Sequence, residues 1–133
     1  MKVRRFGVSL EEDLLQKLDD LAKRHGFPNR SQAIRFLVRN ALVEDAYSSD
    51  SEVAGVIVMV YDHHRRGVVN RLLSIQHDYS EAIISSQHAH LDHNNCLETI
   101  VVRGRASRLK ELADRLISVK GIRHGGLMIT GAQ

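Results

Sequence analysis

The chain has 133 residues, 43% of them hydrophobic, with 19 Lys and Arg against 16 Asp and Glu and a formal net charge of +3. That length accommodates one domain or two small ones, no apolar run approaches a membrane span, and no secretory leader pattern opens the chain. A single cysteine excludes an intrachain disulfide and accords with a reducing, cytoplasmic setting. Residues 1–42 carry a net +4 and residues 43–133 a net −1, so the first segment is the candidate for a polyanionic partner.

Residues 5–10, RFGVSL, alternate in polarity, with Phe6, Val8 and Leu10 on one face and Arg5, Gly7 and Ser9 on the other. This pattern predicts a short, half-buried strand. EEDLLQKLDDLAKRHG predicts a helix, with Leu14, Leu15, Leu18, Leu21 and Ala22 on one stripe, acids in the first turn and Gly26 at the stop. Ser9 with Glu12 also matches a capping box. After the break at FPNRS, Asn29 or Ser31 can start a second helix, whose stripe is Ile34, Leu37, Val38, Ala41 and Leu42. A lone strand leaves its backbone groups unpaired, and two short helices bury too little apolar surface to fold alone. A second copy repairs both defects by pairing the strands into a two-stranded ribbon over four helices. The outer positions Arg5, Gly7 and Ser9 then face away from that core, and such a ribbon fits the DNA major groove. The plainer alternative is a dimerisation module with a solvated outer face.

AYSSDSEV, residues 46–53, is small and polar and predicts a linker, so the boundaries expected are 1–46, a linker at 47–52, and 53–133. The second segment reads as strand, helix, strand, strand, helix, strand. The strands are VAGVIVMVYDH, EAIISSQHAHL, CLETIVVRGRA and IRHGGLMIT, and the helices RRGVVNRLLSIQHDYS and ASRLKELADRLISVKG. This α+β order, βαββαβ, is the ferredoxin-like arrangement of an antiparallel sheet with two helices on one face.

Residues 77–96 hold four of the eight histidines and the only cysteine. His88 and His90 lie two apart on a strand and leave the same face. LDHNN supplies turn chemistry, and a hairpin there brings Cys96 back alongside His90. His77 ends a helix and lies on a different element. Three imidazoles and one thiolate suit late first-row divalent metals. His93, in the turn, reads as a bystander, and the adjacent His63 and His64 as a solvated pair or a weaker surface site. A metalloenzyme would need an open metal position and a nearby base, neither of which stands out. A metal storage or delivery protein is the other alternative.

These motifs resemble those of the NikR family of nickel-responsive transcriptional regulators over essentially the whole chain. RFGVSL, EEDLL and NRSQAIR resemble its ribbon-helix-helix DNA-binding half, and QHDY, SQHAHLDHNNCLE and KGIRHG its ACT-like regulatory half. The resemblance implies a homotetramer, a dimer of dimers, with planar Ni(II) held by His88, His90 and Cys96 of one subunit and His77 of the one opposite. It implies a palindromic double-stranded operator read by Arg5, Gly7 and Ser9, with phosphates met at Asn29, Arg30 and Ser31. Gln76 and Glu98, beside the ligands, are the residues expected to orient the imidazoles. The chain departs from the family pattern twice: Gly7 removes a polar reader, and Gln32 and Phe36 replace carboxylates that hold an additional cation in some members. The turn LDHNN and the helix end at His77 are the expected physical link between metal and DNA.

Overall fold

Helix α1 spans Glu12–Arg24 and α2 spans Arg30–Ser48 in the computed structural model, which describes residues 2–131. Acids in the first turn of α1 and Lys23 and Arg24 in the last complement the helix dipole. Gly26, at φ +70°, takes the left-handed conformation just beyond the helix. At the start of α2, Asn29 Oδ1 accepts the Gln32 backbone N–H at 2.9 Å, an N-cap bond. The capping box expected at Ser9 does not form, because α1 begins later, with Glu11 in the N-cap position and no side-chain bond there.

Residues 2–10 carry no helix and no strand ladder. The strand expected over 5–10 has no partner strand within one chain, so its apolar side chains stay in water: Phe6 is 76% exposed and Val8 55%. Leu14, Leu37, Val38 and Leu42 are also exposed, and Ala22 and Ala33 are the buried apolar residues recorded in this segment. A small ring cluster of His25, Phe27 and Phe36 is its main internal packing.

The chain divides into two units, Met1–Ala41 and Leu42–Gln133. In the second, β1 (Glu52–Tyr61), α3 (Arg66–Asp78), β2 (Ile83–His90), β3 (Cys96–Arg105), α4 (Ala106–Ile117) and β4 (Ile122–Gly131) follow the expected βαββαβ order. The sheet order is β2-β3-β1-β4 with every pairing antiparallel. One face of β1 and β3 is buried, with Val53, Ile57 and Met59 on β1 and Ile100 and Val102 on β3 packed against Leu72, Ile75, Leu109, Leu112 and Leu116. Full burial of each such side chain contributes about 1.5–3 kcal/mol. Gly121, at φ +112°, brings α4 into β4, and a Cβ there would meet Val68 Cγ2 at 2.6 Å.

The stretch expected to be a linker is ordered. Ala46–Ser48 continue α2, Ala46 packs against the core, and β1 starts at Glu52. The intervening residues close the helix: Ser51 N–H donates to Ala46 O, Asp50 N–H to Tyr47 O, and Asp50 sits at φ 57°. That is a Schellman termination with aspartate in the left-handed position. The Asp50 carboxylate also accepts the Ser107 N–H at 2.7 Å, capping α4. Small polar residues serve here as helix-end chemistry instead of slack.

Candidate metal centre and DNA-binding face

Strand register puts three of the expected metal ligands on one sheet face. Across β1, β3 and β2, Tyr61, Cys96 and His90 form one row, and Met59, Glu98 and His88 the next. Alternation along each strand sends both rows to the same sheet face. His88 Nδ1 lies 3.8 Å from Cys96 Sγ, and His88 Nε2 lies 3.5 Å from Glu98 Oε2. Cys96 is buried, whereas His88 and His90 are exposed on an edge strand.

Glu98 is only 2% exposed, the sole buried charged residue among those described, and it is held from two elements. Tyr61 Oη donates to Oε1 at 2.6 Å, and Gln76 Nε2 to Oε2 at 3.2 Å. Gln76 precedes His77 in the last turn of α3, so this bond ties the helix end to the hairpin. Burial, then the Glu98 carboxylate, pushes the Tyr61 hydroxyl far above its ordinary range and keeps it a donor. Burial and the same carboxylate push the Cys96 thiol up. Sequence reasoning singled out Gln76 and Glu98 but missed Tyr61. The available signal was a hydroxyl ending an inward-facing row of β1, where it needs a polar partner.

His77 is exposed, and no recorded side-chain contact joins it to His88, His90 or Cys96. Three of the four expected ligands therefore share one sheet face, and the fourth lies on another element. The turn between β2 and β3 is held as its sequence suggests: Asp92 accepts the Asn94 N–H and the Asn95 side-chain amide, and Leu91 N–H donates to Asn95 O. Beside them lies the pair that the sequence offers as solvated histidines or a weaker surface site. His63 stacks on His90 with centroids 4.4 Å apart, and on His64 at 4.1 Å, while His64 lies 4.9 Å from His93. Burial first, then the neighbouring imidazoles His64 and His90, lowers the His63 pKa.

In the first unit, Arg5, Gly7 and Ser9 are exposed on the N-terminal segment. That segment and the two helices line a groove of about 760 Å³, apolar at Phe6, Val8, Leu10, Leu15, Leu18 and Ile34. A Cβ at Gly7 would meet nothing within 4 Å. Asn29 and Ser31 are exposed at the start of α2. Arg30 is engaged, with Nε and Nη2 donating to the two Asp19 oxygens at 2.8 and 3.0 Å. Phe36 is packed among Phe27 and His25, so this position offers no cation ligand.

A thiol, two imidazoles and a braced carboxylate share one sheet face of the second unit, and the first is a basic unit of one strand-like arm and two helices. The model of the NikR C-terminal nickel-binding domain matches residues 54–130, and that of the ribbon-helix-helix proteins of the copG family matches residues 4–45. A Thermococcus kodakarensis protein provisionally named a nickel-responsive regulator is 52% identical over 132 residues, covering 98% of this chain and 96% of its own. One from Desulfovibrio desulfuricans with the same name is 50% identical over 121 residues, covering 91% and 88%. An uncharacterized protein of Thermotoga maritima shares the fold of the second unit, with a TM-score of 0.54 at 15% identity over 59% of this chain and 98% of its own. The chain belongs to the NikR family of nickel-responsive transcriptional regulators. It is a regulator and not an enzyme, and Ni(II) is its metal.

Proposed function

We propose that this chain is a cytoplasmic repressor that grips a palindromic operator when Ni(II) occupies a site made by His88, His90 and Cys96 of one subunit and His77 of another. The observation that carries this reading is the pair of register rows that put the first three on one face, around a carboxylate anchored by Tyr61 and Gln76. The donors suit a d8 ion in a plane, which supplies a strong preference for four ligands at fixed angles. Cys96 gives up its proton to bind, Glu98 holds the His88 ring, and Gln76 steadies the turn of helix that carries His77.

Two functional halves, 1–46 and 53–133, divide the work. In the first, the exposed Phe6, Val8 and Leu10 are the face that a second copy covers when two arms pair as a ribbon. Arg5, Gly7 and Ser9 then present the reading face, and Asn29, Arg30 and Ser31 meet phosphates through free N–H groups at the start of α2. The ion pair with Asp19 holds the Arg30 fork in place and leaves Nη1 for an anion. His77 comes from a different subunit that is not the ribbon partner, so each chain needs two kinds of neighbour, and a dimer of dimers supplies them.

The test is binding of a DNA fragment selected from a random pool, at fixed salt, with and without one nickel per chain. Nickel should raise the affinity of the parent protein roughly 5–150-fold, the range of a coupling of about 1–3 kcal/mol, and His77→Ala should lose that gain. Equal binding in both conditions by the parent would overturn the reading. Light scattering should give four times the 15.0 kDa chain.

A further inference from the structure

KGIRHG, residues 120–125, supplies none of the expected metal ligands, and its arginine is placed by an irregularity in the sheet. Between Val60 and Tyr61 the partner on β4 jumps from His124 to Ile122, so Arg123 has no opposite residue on β1. That is a β-bulge, a feature that re-aims a side chain. Ile122, Tyr61, Cys96 and His90 form one row across all four strands, and Arg123 and Asn95 each stand one residue along from it. The bulged arginine reaches across the end of β1, and its Nη1 donates to Asn95 Oδ1. Both ends of the Asn95 amide are then engaged, because Nδ2 donates to the two Asp92 oxygens at 3.0 and 2.9 Å. Asn95 O accepts the Leu91 N–H at 2.9 Å, which closes the turn just after His90 and just before Cys96.

We infer that Arg123 is a positioning residue for the metal centre: through Asn95 it fixes the turn that spaces His90 and Cys96, and so favours Ni(II) over ions without an angular preference. The inference rests on the ligand set proposed above. A d8 ion in a plane needs its donors at set angles, whereas Zn(II) has no d-electron preference and accepts a tetrahedral or distorted set. A turn free to flex therefore costs the planar ion most. The charge of the arginine, acting alone, makes the opposite prediction, since it repels any divalent ion. That charge is already engaged, because it acts on both Asp62 and Asp92. Their carboxyls sit below the ordinary range, Asp62 first through the His64 N–H and Asp92 first through the Asn95 amide, with Arg123 adding to both. A planar head with several donors suits this bridging task better than the point charge of a lysine.

The test compares Ni(II) and Zn(II) affinities of the full chain by competition with a coloured chelator, alongside amide hydrogen exchange in the metal-free protein. Arg123→Ala should weaken nickel about 10–100-fold, the range for groups that support a ligand, and zinc much less, so that the nickel-to-zinc ratio falls. Arg123→Lys should recover part of that ratio. Without metal, Arg123→Ala should speed exchange of the Leu91 amide and leave the central strand β1 unchanged. A role in general stability would instead lower both affinities alike and speed exchange throughout the second unit, which would overturn the inference. Tighter binding of both ions, the signature of charge alone, would overturn it too. The ligand set is checked separately: nickel on a thiolate gives a sulfur-to-metal charge-transfer band, which the parent should show and Cys96→Ala should lose. A parent without that band removes the ligand set and this inference with it, whereas the band together with an unchanged ratio in Arg123→Ala removes the inference alone.

Discussion

Glu98→Gln is the substitution that tests the metal centre most directly. The side chain is 2% exposed, accepts Tyr61 and Gln76, and lies 3.5 Å from His88. Glutamine preserves its shape but removes the charge and one of two oxygen acceptors. Loss of a hydrogen bond to a charged group costs about 1.5–3 kcal/mol, but relief from burying that charge offsets part of it, so the fold should survive. Nickel affinity should fall further in proportion, because His88 loses the anion that holds its ring. Changes to such supporting groups typically weaken metal binding about 10–100-fold, or about 1.4–2.8 kcal/mol. Chelator competition, followed by the charge-transfer band, measures this for the parent, Glu98→Gln and Tyr61→Phe. Tyr61→Phe keeps the carboxylate charged and should lose less affinity, while lowering the melting temperature of the apoprotein. Parent-like nickel affinity in Glu98→Gln would refute the role assigned to the carboxylate.

On DNA, Arg5→Ala should abolish about 1–3 kcal/mol of discrimination between operator and random sequence, whereas Gly7→Ser, introduced into open space, should change which sequences are selected from a random pool. Equal losses on specific and random DNA for Arg5→Ala would remove it as a reader. Nickel loading should release a proton and weaken as pH falls, by about tenfold per unit for each proton displaced, because the buried Cys96 thiol holds its proton above the usual thiol range. The same raised pKa means the folded apoprotein keeps that proton more firmly than the unfolded chain, so this group's contribution to apo stability declines as pH rises through the thiol range. Nickel affinity should therefore rise across pH 6–9, while the melting temperature from this group holds level below the ordinary thiol pKa and falls above it. Gly121→Ala should destabilise by more than about 1 kcal/mol, since the position combines φ +112° with a Cβ clash on Val68, and a melting temperature equal to the parent's would contradict that geometry.

Much of this was legible from periodicity. The second unit's element order came from alternating strands and 3.6-residue stripes, and the facing of His88, His90 and Cys96 from strand parity and a turn of Asp and Asn. The sites of disagreement have physical causes. AYSSDSEV has the composition of a linker, yet the same residues cap helices, and composition does not distinguish solvated slack from a Schellman turn. RFGVSL alternates like a strand, but a ladder needs a second strand that one chain does not contain. Ser9 has cap chemistry, but the helix starts beyond its reach. The stacking of His63 on His90 and the Tyr61–Glu98 bond escaped because they depend on how a turn and three strands meet in space. Arg30 was expected to meet a phosphate, and its pairing with Asp19, eleven residues back on the preceding helix, spans a separation no local pattern reveals.

The turn at residues 91–95 carries a consequence for regulation. Asp92 and Asn95 bind it shut with the chain's own side chains, so the turn does not depend on a metal for its shape and the hairpin cannot store much of the signal. Two of the proposed ligands, His90 and Cys96, bracket that turn like the sides of a socket, which favours quick capture over conformational work. On the proposed ligand set, the unassembled member is His77. The free energy of that one metal–imidazole bond is then what remains for rearranging subunits, and it sets a ceiling on how sharply operator occupancy can follow nickel. Strengthening the socket would make the protein a better nickel binder without making it a better switch.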